Sequence, residues 1–167
     1  KERGGLENAD PDLFSEAVCA VVPFETTDPS VTALAEELAE ALGGRALPTD
    51  AAVHDAAAGC VSHLPVLLAA SLALLAGREL EKNPLVPLLA AGGFRDTTRV
   101  AGGPPWLGAD MTVTNGEQVK RLAREYKAIL DGLLGATPGE LEALLEQASA
   151  VRERMFAGKK RWAGEKR

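Results

Sequence analysis

Several residue types are scarce in this sequence, and each scarcity excludes a class of protein. The 167 residues include only two cysteines, Cys19 and Cys60, which match no CxxC or zinc-ligand spacing. We therefore expect both to be reduced, buried, small hydrophobic residues of a cytoplasmic protein. Aromatic residues make up 4% of the chain, and alanine and leucine are abundant, which favours helices packed through small side chains over an aromatic-rich β-sandwich.

Sequence motifs and charge exclude further classes. No G-x-G-x-x-G, no P-loop and no HExxH occurs, so no signature of a dinucleotide, phosphate or zinc-peptidase site is present. The formal charge is −6, which argues against nucleic acid as a partner. The longest apolar run, residues 64–77, is shorter than the roughly 20 residues of a membrane span. We expect it to be a buried core helix, and we expect no membrane partner.

The first fifty residues predict a strand, a helix and a second strand. Residues 17–23 form an apolar, valine-rich run that ends at a proline, as in a buried strand. Asp28 and Pro29 predict the N-cap and first position of a helix, with leucines at every fourth residue. Gly43 predicts the end of that helix, and residues 45–48 predict the second strand. Such a unit normally belongs to a larger sheet.

From residue 51 onward the pattern is helical. Residues 51–76 predict a long helical stretch, which Pro65 should kink or break because its ring clashes with the carbonyl four residues earlier. A short helix is predicted to begin at Asn83 and to end at Gly92. Glycine and proline clusters predict a loop within residues 94–114.

Two longer helices are predicted after residue 114. Asn115 is the predicted N-cap of the first, with Gln118 at the capping-box position. Thr137, followed by Pro138 and Glu140, is a stronger start signal for the second helix. The sequence therefore predicts a mainly α protein.

One segment concentrates groups that bind anions: Gly-Gly-Phe-Arg-Asp-Thr-Thr-Arg at residues 92–99. If a helix begins here, Asp96 and Arg99 lie three residues apart on one face, and Asp96 orients the guanidinium for a carboxylate or phosphate. The alternative is an ordinary salt bridge between helices.

The two histidines give no metal site. His54 and His63 are nine residues apart, and no third ligand has metal-site spacing. Ser62 and His63 are adjacent, so their side chains do not face each other on a helix. Each histidine by itself is more typical of a hydrogen-bonded structural residue than of a ligand.

Three stretches together resemble the prephenate dehydrogenase family, which includes arogenate dehydrogenases. Residues 2–14 resemble the segment that follows the family's catalytic histidine. Residues 61–65 (Val-Ser-His-Leu-Pro) resemble its Ser-His-Leu-Pro-His helix. Residues 93–101 resemble its Gly-Phe-[Arg/Lys]-Asp-x-Thr-Arg-Ile-Ala signature. Asp110 and Asn115 match an aspartate and an asparagine that follow in the family.

The resemblance implies a reaction of tyrosine biosynthesis that uses NAD or NADP. Prephenate or arogenate loses a hydride and CO2, and its ring becomes aromatic. By resemblance, Arg99 binds the small carboxylate substrate through its bidentate fork. Asp96 and Glu2 match the acidic residues of the active-site ionic network, and Arg95 matches a basic position beside it. His63 matches the first histidine of the Ser-His-Leu-Pro-His run, with a structural or supporting role.

This sequence departs from the family pattern at two positions. Val66 replaces the second histidine of that run, and Gly108 replaces a tryptophan, although Trp106 lies two residues earlier. The substrate therefore stays open between prephenate, arogenate and a related amino analogue.

The resemblance also implies a domain organisation. Residues 1–50 are expected to be the end of a Rossmann-type nucleotide-binding domain, residues 51–158 a helical dimerisation and substrate domain, and residues 159–167 a basic tail. Long helices of two copies interlock in this family, so we expect a homodimer. We expect the catalytic histidine and the cofactor loop before Lys1, so this chain should hold no catalytic residue and be inactive alone.

Two other functions are open on the sequence alone. The chain could be a stand-alone dimerisation module that holds a carboxylate ligand such as tyrosine as a regulator, without chemistry. It could also be a purely structural helical bundle, in which case Arg99→Ala would leave any ligand affinity unchanged.

Overall fold

The structure is a computed structural model that describes residues 5–164, with side chains described for residues 5–157. It is mainly helical, and it divides into two compact units, Lys1–Leu122 and Ala123–Arg167. The elements follow in this order: a 3₁₀ turn (Leu6–Asn8), β1 (Val18–Val21), α1 (Pro29–Ala41), β2 (Arg45–Pro48), α2 (Ala51–Ala58), a π-helical turn (Gly59–His63), α3 (Leu64–Leu80), α4 (Val86–Leu89), α5 (Gly92–Thr98), a second 3₁₀ turn (Arg99–Gly102), α6 (Pro105–Thr114), α7 (Gly116–Gly135) and α8 (Pro138–Gly164).

The predicted strand-helix-strand unit is confirmed. Strands β1 and β2 pair in parallel, with Val18 opposite Arg45, and α1 connects them. Asp28 caps α1 as predicted, because its Oδ1 accepts hydrogen bonds from the Ser30 N–H and hydroxyl at 2.8 and 2.7 Å. These bonds stabilise the carboxylate, so they lower the pKa of Asp28. Gly43, with φ of 79°, provides the left-handed residue after the helix.

The apolar face of α1 stays uncovered in the described part of the chain. Leu34, Leu38 and Leu42 are 64%, 58% and 50% exposed, and the buried residue of this helix is Ala39. The leucine repeat therefore identifies a helix that presents an apolar surface, as parts of larger assemblies do.

Pro65 does not break the central helix, contrary to one of the predicted outcomes. Residues Ala51–Leu80 form one helix of 30 residues with a π-helical turn immediately before Pro65. There the Leu64 N–H donates to the Gly59 carbonyl, five residues back. A proline lacks the N–H and clashes with the preceding turn, and a wider turn relieves this crowding without ending the helix.

The central helix is not the buried core helix that its sequence predicts. Only Leu64 and Ala69 of α3 are buried, whereas Leu74 and Leu75 are 69% and 54% exposed. Because α2 and the π turn continue into α3 without a break, the helix is longer than the apolar run, and by length and composition it could cross a membrane. Core helices of proteins outside membranes pass the same test.

The stretch from residue 83 to 114 is more helical than predicted. The short helix α4 ends at Leu89, before the glycines, and Gly92 begins α5 instead of ending a helix. The predicted loop within residues 94–114 is confined to the residues between the second 3₁₀ turn and α6. Proline suits the first turn of a helix as well as it suits a loop, and Pro105 begins α6 in this way.

The predicted start of α8 at Thr137 and Pro138 is confirmed. Glu140 Oε2 accepts hydrogen bonds from the Thr137 N–H at 2.9 Å and from the Thr137 hydroxyl at 2.6 Å. These bonds lower the pKa of Glu140. The predicted basic tail at residues 159–167 lies outside the described side chains, and the predicted domain boundaries stay predictions.

Neither cysteine is buried, contrary to the prediction, and both are free thiols. Cys19 is half-buried, and Cys60 is exposed on the π turn.

Candidate functional site

The predicted anion-binding segment forms α5 and the 3₁₀ turn after it, and both pack against α3. The two threonine hydroxyls of the segment are used within α5 itself. Thr97 donates to the Gly93 carbonyl and Thr98 to the Phe94 carbonyl, each at 2.7 Å. The charged side chains, rather than the hydroxyls, are therefore the groups that this segment offers to a ligand.

Three charged residues of this segment lie at the surface. Arg95 and Asp96 have side chains 81% and 78% exposed, with Arg95 Nε 3.8 Å from Asp96 Oδ1. Such an exposed pair contributes little stability. Arg99 is also exposed and begins the 3₁₀ turn, one residue beyond α5. The orientation of Arg99 by Asp96 stays a prediction.

A second polar cluster surrounds His63, at the end of the π turn. The buried side chain of Asn115, 8% exposed, connects two distant parts of the chain. Its Nδ2 donates to the Asp55 carbonyl oxygen at 2.7 Å and lies 3.2 Å from His63 Nδ1. Asn115 thus ties the start of α7 to both α2 and the π turn.

A glycine permits this close approach. A Cβ at Gly59 would lie 3.2 Å from Leu122 Cδ1, 3.3 Å from Asn115 Nδ2 and 3.4 Å from Gln118 Cβ. Gly59 is buried within the π turn. Any larger residue at this position would press on the side chains that bring Asn115 to His63.

An open cleft lies beside this cluster. His54 Nδ1 is 2.9 Å from Asp55 Oδ1, and the Asp55 side chain is about half exposed. The cleft has a volume of ≈ 590 Å³. It is lined by Ala52, Asp55, Thr112, Val113, Thr114, Asn115, Gly116, Glu117, Gln118 and Lys120.

The structure places four of the five predicted site residues. Arg95, Asp96 and Arg99 lie on the elements that pack against α3, and His63 directly precedes α3. Glu2 lies outside the described residues. No group of three possible metal ligands occurs among the residues that the structure describes.

Sequence reasoning missed Asn115 as a member of the site. It assigned Asn115 and Gln118 to a capping box, but Asn115 Nδ2 binds Asp55 and His63, and Gln118 Oε1 accepts from Arg121 Nε at 3.1 Å. The available signal was the match of Asn115 to an asparagine of the resembled family.

Comparison with known proteins decides the family. Residues 50–137, more than half of the chain, match the family described as "Prephenate dehydrogenase, dimerization domain". The chain belongs to the prephenate dehydrogenase family. The family resemblance is thereby confirmed, and two of the three sequence stretches, residues 61–65 and 93–101, lie within the matched range.

Family members resemble this chain over most of its length. It is 31% identical over 157 residues to the prephenate dehydrogenase of Lactococcus lactis, covering 92% of this chain and 42% of that protein. The crystal structure of Synechocystis arogenate dehydrogenase superposes with a TM-score of 0.77 and 33% identity over 90% of this chain and 56% of that chain.

A third relative was solved with ligands. Prephenate dehydrogenase from Aquifex aeolicus, in complex with hydroxyphenyl propionate and NAD+, has a TM-score of 0.81 and 25% identity over 93% of this chain and 56% of that chain. This chain therefore spans about half the length of its relatives.

The turn between β1 and α1 does not fit the diphosphate of NAD or NADP. The turn between β1 and α1, residues 22–28, contains no glycine, and its Phe24 N–H donates internally to Thr27 Oγ1 at 2.9 Å. Dinucleotide sites need a glycine-rich turn with free N–H groups at this place. The residues of this chain are therefore assigned no step with the cofactor.

The two departures from the prephenate dehydrogenase pattern lie against each other. A Cβ at Gly108 of α6 would lie 3.3 Å from Val66 Cγ1 of α3. The valine thus occupies space that a side chain at position 108 would need. By the resemblance, the two changes form one local alteration, in which an apolar contact stands where the family pattern has a histidine and a tryptophan.

Proposed function

We propose that this chain is the helical, dimer-forming and substrate-binding part of a prephenate or arogenate dehydrogenase that uses NAD or NADP. One observation carries the proposal: the predicted anion-binding segment, residues 92–99, and the His63 cluster both lie against or within the central helix. The segment packs against α3, and His63 ends the π turn that leads into it.

The charges of the segment suit an acidic ring compound. Arg99 binds the substrate carboxylate, since a guanidinium offers two parallel donors to two oxygens. Arg95 adds positive charge beside it, and Asp96 and Glu2 complete the ionic network. His63 contributes from the end of the π turn. The family resemblance and the position of the segment support these roles.

Besides the substrate, the proposed binding partner is another copy of the chain. The matched family is described as a dimerization domain, and both units present large apolar side chains. Leu74 and Leu88 in the first unit are 69% and 77% exposed, and Ile129 and Leu134 in the second are 63% and 77% exposed. Apolar surface of this extent is typical of obligate homodimers.

A kinetic experiment tests the proposal. The longest gene product that contains this chain is assayed with prephenate or arogenate and with NAD or NADP, by the absorbance of the reduced nicotinamide. We expect turnover with at least one pair. Arg99→Ala should lower kcat/KM by about 10- to 100-fold, as the loss of a charged hydrogen bond does, and Arg99→Lys should not restore it.

A matched arginine serves as the control. Arg152 lies over the Phe156 ring of its own helix, 5.2 Å from the ring centre, so Arg152→Ala should leave kcat/KM within about twofold if dimers form normally. Absence of turnover with all four pairs would contradict the proposal. Tyrosine binding without turnover would instead support a regulatory module.

A further inference from the structure

We infer that Asn115 is a positioning residue that fixes the His63 ring in the tautomer with its hydrogen on Nε2. Nε2 then acts as a hydrogen-bond donor toward an oxygen of the acidic ligand. The second part rests on the proposed function, whereas the tautomer itself does not.

The Asp55 carbonyl decides which groups in the cluster donate hydrogen bonds and which accept them. The Asp55 carbonyl can only accept, so the group of Asn115 that lies 2.7 Å away must be the amide nitrogen. That nitrogen carries two hydrogens and no lone pair free to accept. The same nitrogen lies 3.2 Å from His63 Nδ1. Therefore Nδ1 must accept, and in the neutral ring the hydrogen lies on Nε2.

The position of Asn115 is held from several sides. Its backbone N–H donates to the Met111 carbonyl, at 3.2 Å, and its carbonyl accepts from the Val119 N–H, at 3.1 Å. Its side chain is buried, and Gly59 leaves just enough room for it. An amide fixed in this way cannot rotate to present its oxygen to His63 without losing the Asp55 bond.

The other histidine provides an internal contrast. His54 Nδ1 lies 2.9 Å from the carboxylate oxygen Asp55 Oδ1, which can only accept, so a neutral His54 carries its hydrogen on Nδ1. The two histidines of the chain are thus expected in opposite tautomers, although they lie on the same helix.

Nitrogen NMR of the wild-type chain tests the tautomer first. The chain is labelled with 15N-histidine and studied at about pH 8, above the ordinary histidine pKa of about 6.5. Long-range 1H–15N spectra distinguish the protonated from the unprotonated ring nitrogen, and His54→Gln assigns the two rings. We expect an unprotonated Nδ1 and a protonated Nε2 for His63. A protonated Nδ1 on this ring would overturn the inference.

Variants then test the cause. Asn115→Asp replaces the donor by an acceptor, so His63 should shift to the tautomer with hydrogen on Nδ1. Asn115→Leu removes the polar partner, so the ring should show a mixture of tautomers. Asn83→Asp is the matched control, because Asn83 accepts from the Leu85 N–H at another helix start, and it should leave the His63 signals unchanged. A His63 tautomer that ignores both Asn115 variants would overturn the role of Asn115.

A ligand tests the donor role separately. Addition of 4-hydroxyphenylpropionate to the wild-type chain should move the His63 Nε2 signal and leave the His54 signals in place. If the Nε2 signal does not move at saturation of binding, the donor role is overturned. Failure of the proposed function is recognised independently, by the absence of turnover in the kinetic assay.

Discussion

Gly59 controls the approach of α7 to the central helix. Glycine within a helix normally costs stability, because it loses more backbone freedom on folding than alanine does. Here the absent Cβ is the reason that Leu122 and Asn115 can pack against the π turn. The conformational cost of the glycine is offset by the contacts that it permits.

A pair of alanine substitutions separates these two effects. Gly59→Ala should destabilise the chain by about 1–2 kcal/mol, because overpacking exceeds the gain in helix propensity. Gly77→Ala in α3 should stabilise it by up to about 1 kcal/mol, since nothing beyond the adjacent backbone of its own helix lies within 4 Å of the added Cβ. Both values are measured by urea denaturation. If both variants stabilised the chain, the close packing at Gly59 would be disproved.

For single residues, the sequence identified the charged side chains of the site but not the contact between Asn115 and His63. Arg95, Asp96 and Arg99 stand close together in the sequence, so their residue types were sufficient to single them out. The bond between Asn115 and His63 joins residues 52 positions apart. No local pattern specifies such a contact, because it depends on how α7 packs against the π turn.

Helix starts were predictable where a side chain caps its own helix. Asp28 accepts from the Ser30 N–H, and the Thr137 N–H donates to Glu140. Both bonds join residues no more than three positions apart, so the local sequence specifies the whole interaction. The π turn depends instead on two effects: Pro65 crowds the preceding turn, while packing along the helix keeps it continuous. Gly92 was interpreted as the end of a helix because glycine is strongly enriched just after helix C-termini, but here it is the first residue of α5.

The start of α8 should make stability depend on pH. The pKa of Glu140 is lowered below its ordinary value of 4.5 by the Thr137 bonds. A depressed pKa in the folded state means that the carboxylate contributes stability above pH 4.5, and that this contribution is lost as the pH falls through the folded-state value. Glu140→Gln should therefore lower Tm at neutral pH, with a difference that shrinks in acid.

A neighbouring glutamate provides the control for this measurement. Glu142→Gln on the same helix should change Tm much less at neutral pH, because the start of α8 uses Glu140. Thermal unfolding by circular dichroism between about pH 3 and pH 7 measures both variants. A Tm difference for Glu140→Gln that is constant across this range would contradict the capping role.

Exposed apolar surface dominates at the scale of the whole molecule. Among the described side chains, the buried hydrophobic residues are Ala39, Leu64, Ala69 and Val119. The central helix is long and apolar, yet most of its apolar stretch is not buried. Hydrophobic residues left in water cost about 25 cal/mol per Å² of apolar area, so this surface requires a cover. The family match makes a second copy the expected cover.

A charge placed on the central helix should therefore prevent assembly. Leu74 is 69% exposed in the single chain, and Leu74→Glu would bury an unpaired carboxylate in the interface, weakening the dimer roughly a hundredfold or more. Lys127→Glu, at an exposed polar position of α7, should leave the dimer intact. Gel filtration with light scattering at micromolar concentration, without detergent, measures both variants and the wild type. An aqueous dimer and a membrane-bound helix would cover the same leucines in different ways. The second copy is ruled out as the cover if the wild-type chain stays monomeric in buffer. It is also ruled out if the chain dissolves only with detergent.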